Sequence, residues 1–302
     1  MSSAPNQVTA PSGSSHLPVT LPMLMEKRRL GQALVMVTAY DYPSARAAEA
    51  AGVDLVLVGD SGAQTVLGYP STVAVTTDEL LMLARAVRRG LRSPFMVADL
   101  VFGSYEESDA QAVATAMRFI KEAGADAVKL ERGNETSVAR ARAIIQAGIP
   151  VMGHVGLTPQ TITALGGYRA QGKSAESAAR IAREALALQE AGCFAIVFEA
   201  IPAEVTEELM PVMRIPVIGI GAGPATDGQV LVFHDLLGIR EGHGARFVQR
   251  YADIQTAMDT GVATYASDVR ERRYPGPEHG YSIDAEELAE FRTELAELLS
   301  TH

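Results

Sequence analysis

Residues 182–199, Ala-Arg-Glu-Ala-Leu-Ala-Leu-Gln-Glu-Ala-Gly-Cys-Phe-Ala-Ile-Val-Phe-Glu, hold one complete helix-to-strand unit. Ala182, Ala185, Leu186 and Gln189 recur at the spacing of one helix face,. Ala191-Gly192 then stops the helix, because glycine accepts the left-handed turn that ends it,. Ala195–Phe198 is a short apolar run without polar alternation, as a strand covered on both faces requires,. An acid, Glu199, stands at its C-terminal end.

The same unit repeats in both directions. Apolar runs occur at Leu34–Thr38, Leu55–Val58, Phe95–Ala98, Ala127–Leu130, Val151–Gly153, Val217–Ile220 and, more faintly, Val230–Phe233. Ala-Gly also precedes the runs that follow positions 51–52, 123–124 and 147–148. Strand then helix, eight times over, predicts an α/β fold of the (β/α)8 or TIM-barrel type. The competing architecture is an open doubly wound sheet. It would carry a G-x-G-x-x-G phosphate loop after the first strand, but Thr38-Ala39-Tyr40-Asp41-Tyr42 stands there,. The expected organisation is a disordered tail over 1–19, one barrel domain over 20–281 opening with a short charged helix, and a helical extension over 282–302. In that extension Leu288, Phe291, Leu295, Leu298 and Leu299 form one apolar stripe, suited to docking on the barrel or on another subunit,.

Composition removes several classes of function. The 302 residues are 47% hydrophobic and carry a formal net charge of −10, which leaves no basic face for broad nucleic-acid binding,. No apolar run approaches the roughly 18 residues of a membrane span. The Ser-, Pro- and Gly-rich N-terminus lacks the cationic start and apolar stretch of a secretory signal, and a single cysteine excludes an internal disulfide,. The expectation is a cytoplasmic protein. Cys193, ahead of an apolar run, reads as a buried structural residue rather than a nucleophile,.

In a barrel enzyme the site forms where strands end at their C-termini. Those ends are unusually polar here: Gly59-Asp60-Ser61, Asp99, Lys129 with Glu131, His154 and Glu199. Each has a plain structural reading. An Asp after a strand can cap a helix, a lone His can be a core residue, and a Glu can sit in a solvated loop. Lys129 and Glu131, two apart, face the same side of their strand. Together, five consecutive strands deliver two Asp, two Glu, a Lys and a His to one rim. Carboxylates without Cys or clustered His suit a hard cation such as Mg2+. Such an ion, chelated by an α-keto acid, would polarise the ketone while a nearby carboxylate removes the proton next to it. Lys129 would meet the substrate carboxylate as a point charge. Gly219-Ile220-Gly221-Ala222-Gly223 admits a phosphate cradle or close backbone packing, and Thr158-Pro159 reads as a helix entry,.

The ordered set Val58-Gly59-Asp60-Ser61, Ala98-Asp99-Leu100, Val128-Lys129-Leu130-Glu131, Gly153-His154-Val155-Gly156-Leu157-Thr158-Pro159-Gln160, Gly166-Gly167-Tyr168, Gly219–Gly223, Thr226-Asp227-Gly228-Gln229 and Tyr274-Pro275-Gly276 resembles the ketopantoate hydroxymethyltransferase family over roughly residues 20–281. The resemblance implies transfer of a hydroxymethyl group from 5,10-methylenetetrahydrofolate to 3-methyl-2-oxobutanoate through a magnesium-stabilised enolate. The product, 2-dehydropantoate, begins pantothenate biosynthesis. It further implies Asp60, Asp99 and Glu131 as metal ligands, Asp60, Ser61, Asp99, Lys129 and His154 at the keto acid, Glu199 as proton acceptor, and a homodecamer. Two departures stand out: Gly62-Ala63-Gln64 replaces the usual Leu-Gly-Met, and Arg132 replaces a more usual Gly. A magnesium-dependent α-keto acid lyase or phosphonomutase is the nearest alternative, but it would resemble Lys-Cys-Gly-His around a catalytic cysteine, and Cys193 lies before a strand. A non-catalytic scaffold would have lost the rim acids, and none is lost.

Overall fold

In the computed structural model, which describes residues 17–161, 170–240, 242 and 244–300, eight parallel strands close into a barrel in chain order. They are β1 (Leu34–Thr38), β2 (Leu55–Val58), β3 (Phe95–Asp99), β4 (Ala127–Lys129), β5 (Val151–Gly156), β6 (Ala195–Glu199), β7 (Val217–Ile220) and β8 (Gly228–Leu231). Between them run α2 (Tyr42–Ala51), α3 (Gly62–Thr65), α4 (Thr77–Gly90), α5 (Asp109–Ala123), α6 (Glu135–Gln146), α7 (Ala175–Ala191), α8 (Ala203–Leu209) and, after β8, α9 (Phe233–Leu237); α1 (Leu21–Arg29) precedes the barrel. The barrel expectation is met, and the open sheet is excluded because β8 pairs with β1 from Leu34↔Gly228 to Val37↔Leu231.

The non-alternating strands are explained by two apolar layers. Met36, Leu57, Val97, Met152, Val197 and Ile218 belong to a cluster built mainly from strand residues, and Val56, Met96, Val128 and Phe198 to a second one shared with the helices. The helices close the outer layer side by side, α2 on α4, α4 on α5, α5 on α6 and α6 on α7. The predicted Ala-Gly stops are real: Gly52, Gly124 and Gly192 cap α2, α5 and α7 in the left-handed region. The eighth strand starts two residues earlier than its apolar run, because Gly228 and Gln229 already pair with β1 and β7; Phe233 instead opens α9.

The described residues form two compact units, one ending at Ala252 and one starting at Asp253. That division falls upstream of the expected 281/282 boundary. Helix α10 (Ile254–Arg270) buries none of its residues, and in the second unit it is followed by the Tyr274 ring, 5.6 Å from Tyr265 and 5.0 Å from His279, and by α11 (Ala285–Ser300). Helix α11 is the predicted C-terminal helix, and it too has no buried residue. The tail over 1–16 and the Gly166-Gly167-Tyr168 motif lie outside the described residues.

One close approach sets the geometry of the later site. Gly156, at the end of β5, has φ 98° and faces Glu199 across the β5–β6 pair; a Cβ there would lie 2.2 Å from the Glu199 carbonyl oxygen. Gly156→Ala therefore meets both a forbidden dihedral and backbone. It should lower the unfolding free energy by about 3 kcal/mol or more in a denaturant titration, where an ordinary surface Gly→Ala change stays within about 1 kcal/mol.

Candidate active site

All seven side chains singled out in the sequence line one cavity of about 1090 Å3 at the C-terminal ends of the strands. β2 delivers Asp60 and Ser61, β3 Asp99, β4 Lys129 and Glu131, β5 His154 and β6 Glu199. Asp60, Asp99, Lys129, Glu131 and His154 are buried, and Glu199 is partly open. The barrel brings them together by chain pairing alone: Asp99 lies opposite Lys129 in the β3–β4 register, and the β5–β6 register places Glu199 beside the end of the His154 strand.

The contacts are ionic. Lys129 Nζ is 2.5 Å from Asp99 Oδ1 and 3.4 Å from His154 Nδ1. His154 bridges two acids, with Nδ1 3.5 Å from Glu131 Oε1 and Nε2 3.2 Å from Glu199 Oε2. The Asp60 amide donates to Asp99 Oδ2 at 3.0 Å, and the Tyr40 and Ser61 hydroxyls are 2.7 Å apart. Burial and the Lys129 charge push His154 down, but its bonds to Glu131 and Glu199 prevail and raise it to about 9. Burial also pushes Lys129 down, yet Asp99, Glu131 and Asp60 hold its ammonium above the ordinary range. Asp99 is raised by burial despite Lys129. Asp60 is raised well above a normal carboxyl, by burial first and then by the charges of Asp99 and Glu131.

That electrostatic picture fits a divalent cation. Within the strand-end cluster four carboxylates meet one ammonium and one imidazolium, a formal charge of −2 when fully ionised, while Asp235, Arg240 and Arg246 also line the cavity,. Among the described residues, no group of three or more His, Cys, Asp or Glu side chains is arranged to hold a metal by itself. Mg2+ does not require one, since it binds through one or two carboxylates and keeps waters or substrate oxygens. The carboxylates of Asp60, Asp99 and Glu131 suit that mode.

Other sequence readings resolve clearly. The glycine cluster is close packing: a Cβ at Gly219 would meet Thr226 at 2.8 Å, at Gly221 the Phe247 ring at 2.5 Å, and at Gly223 Ala203 at 2.6 Å. Pro159 opens a 3₁₀ turn, Pro159–Thr161. Cys193 is buried, its thiol pushed up to about 12 by burial, so it is structural. Four residues in or behind the cavity were not singled out: Thr38, which accepts from the Phe233 amide at 2.8 Å, His234, Gln160 and Tyr105. No periodicity marks them, because each reaches the site through a loop or a strand face.

The residue after each β4 and β6 acid is strained. Arg132 follows Glu131 with φ 71° and Ala200 follows Glu199 with φ 51°. The left-handed φ at position 132 accounts for the glycine expected there.

A closed parallel barrel with buried acids, a lysine and a histidine around one strand-end cavity defines a (β/α)8-barrel enzyme acting on a small molecule,. Comparison with known proteins specifies which. The chain belongs to the ketopantoate hydroxymethyltransferase family, whose model matches residues 18–277. It is 51% identical to the 3-methyl-2-oxobutanoate hydroxymethyltransferase of Thermus thermophilus over 83% of this chain and 95% of that one. With the enzyme of the same name from Moorella thermoacetica it shares 49%, over 87% and 97%. With the Arabidopsis thaliana 3-methyl-2-oxobutanoate hydroxymethyltransferase 1, mitochondrial, it shares 48%, over 93% and 82%. Among solved structures, phosphonopyruvate hydrolase has the same fold with a TM-score of 0.58 at 14% identity, covering 92% of this chain and 96% of that one. A 2,3-dimethylmalate lyase of the PEP mutase/isocitrate lyase superfamily gives 0.52 at 16%, covering 93% and 95%. Among the described residues no helix is long and apolar enough to cross a membrane.

Two substitutions check this geometry. Lys129→Met leaves Asp99 buried without its cation and should cost about 3 kcal/mol of stability in urea unfolding,. Arg132→Gly removes a left-handed non-glycine worth roughly 1–2 kcal/mol of strain, partly offset by glycine's unfolded-state entropy. Its unfolding midpoint should rise by an amount equivalent to about 0.5–1 kcal/mol.

Proposed function

We propose that this enzyme transfers the one-carbon unit of 5,10-methylenetetrahydrofolate to 3-methyl-2-oxobutanoate, with water supplying the hydroxyl oxygen, to give 2-dehydropantoate and tetrahydrofolate at the start of pantothenate biosynthesis. The observation that carries the reading is the convergence of Asp60, Asp99, Lys129, Glu131, His154 and Glu199 on one cavity in a chain of this family. Asp60 and Asp99, with Glu131 directly or through water, would hold Mg2+. An ion held there would supply Lewis-acid polarisation of the ketone and stabilisation of negative charge on its oxygen. Lys129, kept cationic by the acids around it, attracts the substrate carboxylate, and Asp60, Ser61 and Asp99 border the same space.

Glu199 is the assigned base. It is less buried than the other acids, and His154 Nε2 at 3.2 Å orients its carboxylate. Water hydrolyses the two C–N bonds of the methylene bridge, which leaves protons on the tetrahydrofolate nitrogens and the one-carbon unit as an aldehyde. Glu199 removes the proton from C3 of the keto acid; the C–H electron pair forms the new C–C bond to that aldehyde carbon, and its C=O π pair takes a proton to become the hydroxyl. His154, between Glu131 and Glu199, keeps the two acids in fixed relation. The cavity exceeds what a five-carbon acid needs and, at about 1090 Å3, lies just above the roughly 300–1,000 Å3 of small-molecule sites, which leaves room for the folate co-substrate,. A homodecameric assembly and a cytoplasmic location belong to the same proposal. The lyase or phosphonomutase alternative loses support, because the one cysteine is buried with a raised pKa and does not line the cavity.

Proton exchange tests the chemistry without the second substrate. With 3-methyl-2-oxobutanoate and Mg2+ in D2O, NMR should show the C3 proton exchanging in a metal-dependent way. Glu199→Gln should slow it at least about a hundredfold. An intact, metal-loaded protein that exchanges nothing would sink the enolisation step. Added methylenetetrahydrofolate should then yield 2-dehydropantoate.

A further inference from the structure

Gln160 lies on the 3₁₀ turn after β5, far from the proposed metal ligands in sequence, yet it is 3% exposed and touches two of them. Its amide orientation follows from donor accounting. The Glu131 amide donates to Tyr105 Oη at 3.4 Å, so the Tyr105 proton is directed to Gln160 Oε1, 2.8 Å away,. Oε1 is thereby the acceptor, and Nε2 carries two protons to place. One goes to the Leu100 carbonyl at 2.8 Å and the other to Asp60 Oδ2 at 3.1 Å. The Gln160 backbone amide donates to Glu131 Oε2 at 3.0 Å. The bonds form a closed ring, from the Glu131 amide through Tyr105 and Gln160 back to the Glu131 carboxylate, with a branch to Asp60.

We propose that Gln160, held by Tyr105, is a positioning residue that latches the Asp60 and Glu131 carboxylates in the arrangement that receives the divalent cation. This rests on the metal-site reading above. Physically, two N–H donors are spent on one oxygen of each acid. They fix both carboxylate planes and offset the cost of keeping anions buried beside each other. Asp60 Oδ2 accepts this bond, and Oδ1 receives none from Gln160. A glutamate at 160 could not do this, because it would set a third acid against Asp60. An apolar side chain would free the Asp60 carboxylate and strand the Leu100 carbonyl, while the backbone bond to Glu131 would lose the side-chain anchoring of its turn. Outer groups that orient ligands in this way typically change metal affinity about 10–100-fold when removed.

The probe is Mn2+, whose free-ion EPR signal disappears on binding, titrated into the full chain. Gln160→Met keeps the volume and removes the amide. Tyr105→Phe keeps the ring and removes only the hydroxyl that orients it. At a temperature where circular dichroism shows each variant folded, Gln160→Met should weaken Mn2+ binding about tenfold or more, and Tyr105→Phe should weaken it to a smaller extent. A merely structural residue would lower the melting temperature and leave the Kd of the folded protein unchanged. Unchanged affinity in folded Gln160→Met overturns the proposal. Should that variant not fold, unchanged affinity in Tyr105→Phe overturns it. A wild-type protein that binds no Mn2+ overturns the metal site itself, a result distinct from loss of the Gln160 role alone.

Discussion

The arrangement of the whole catalytic end depends on one constraint: Asp60, Asp99, Glu131 and Glu199 are gathered around Lys129 and His154 at the mouth of an apolar barrel. Buried charge is tolerated only when it is paired or hydrogen-bonded. The barrel meets that condition by crossing its strand ends. Lys129 pairs with Asp99 on the neighbouring strand, and His154 reaches Glu131 on one side and Glu199 on the other. What remains is an excess of acid centred on Asp60, and that excess is the chemical reason the site suits a hard divalent ion.

Holding such a site costs backbone freedom close to it. Arg132 and Ala200 turn the chain through the left-handed region directly after Glu131 and Glu199, and Gly156 lets β5 pass close to the Glu199 carbonyl. Strain of this kind persists only where the surroundings over-determine it. Here the strand ladders on both sides do so. The apolar layers of the barrel therefore act on function indirectly: they keep eight strand ends in register, and the register decides which acid meets which base.

The neighbouring fold types carry a related lesson. Phosphonopyruvate hydrolase and 2,3-dimethylmalate lyase share this barrel at 14% and 16% identity, which is a likeness of fold and nothing more. What places this chain is the set of side chains at the strand ends and the family match over residues 18–277. Barrel and chemistry are separable, because the loops and strand tips can change while the packed layers stay as they are.

Much of the fold was legible in the sequence because its signals are local. A non-alternating run such as Ala195–Phe198 reports burial on both faces, and Ala191-Gly192 reports a helix end, each within a few residues. The rim acids were legible for the same reason, since strand ends can be located from strand runs. The start of β8 was not, because Gly228 joins the strand only through its pairing with β1. Nor was the division at Ala252/Asp253, since compactness is a property of the folded chain and not of any local run. The glycine cluster stayed ambiguous until Thr226, Phe247 and Ala203 were seen to fill its space. Gln160 is the clearest case. Its amide meets Asp60 one hundred positions away and Tyr105 fifty-five away. Sequence alone determined which residue types end each strand, because that depends on near neighbours. Only closure of the barrel decided which of them touch, because those contacts join segments that no local rule connects.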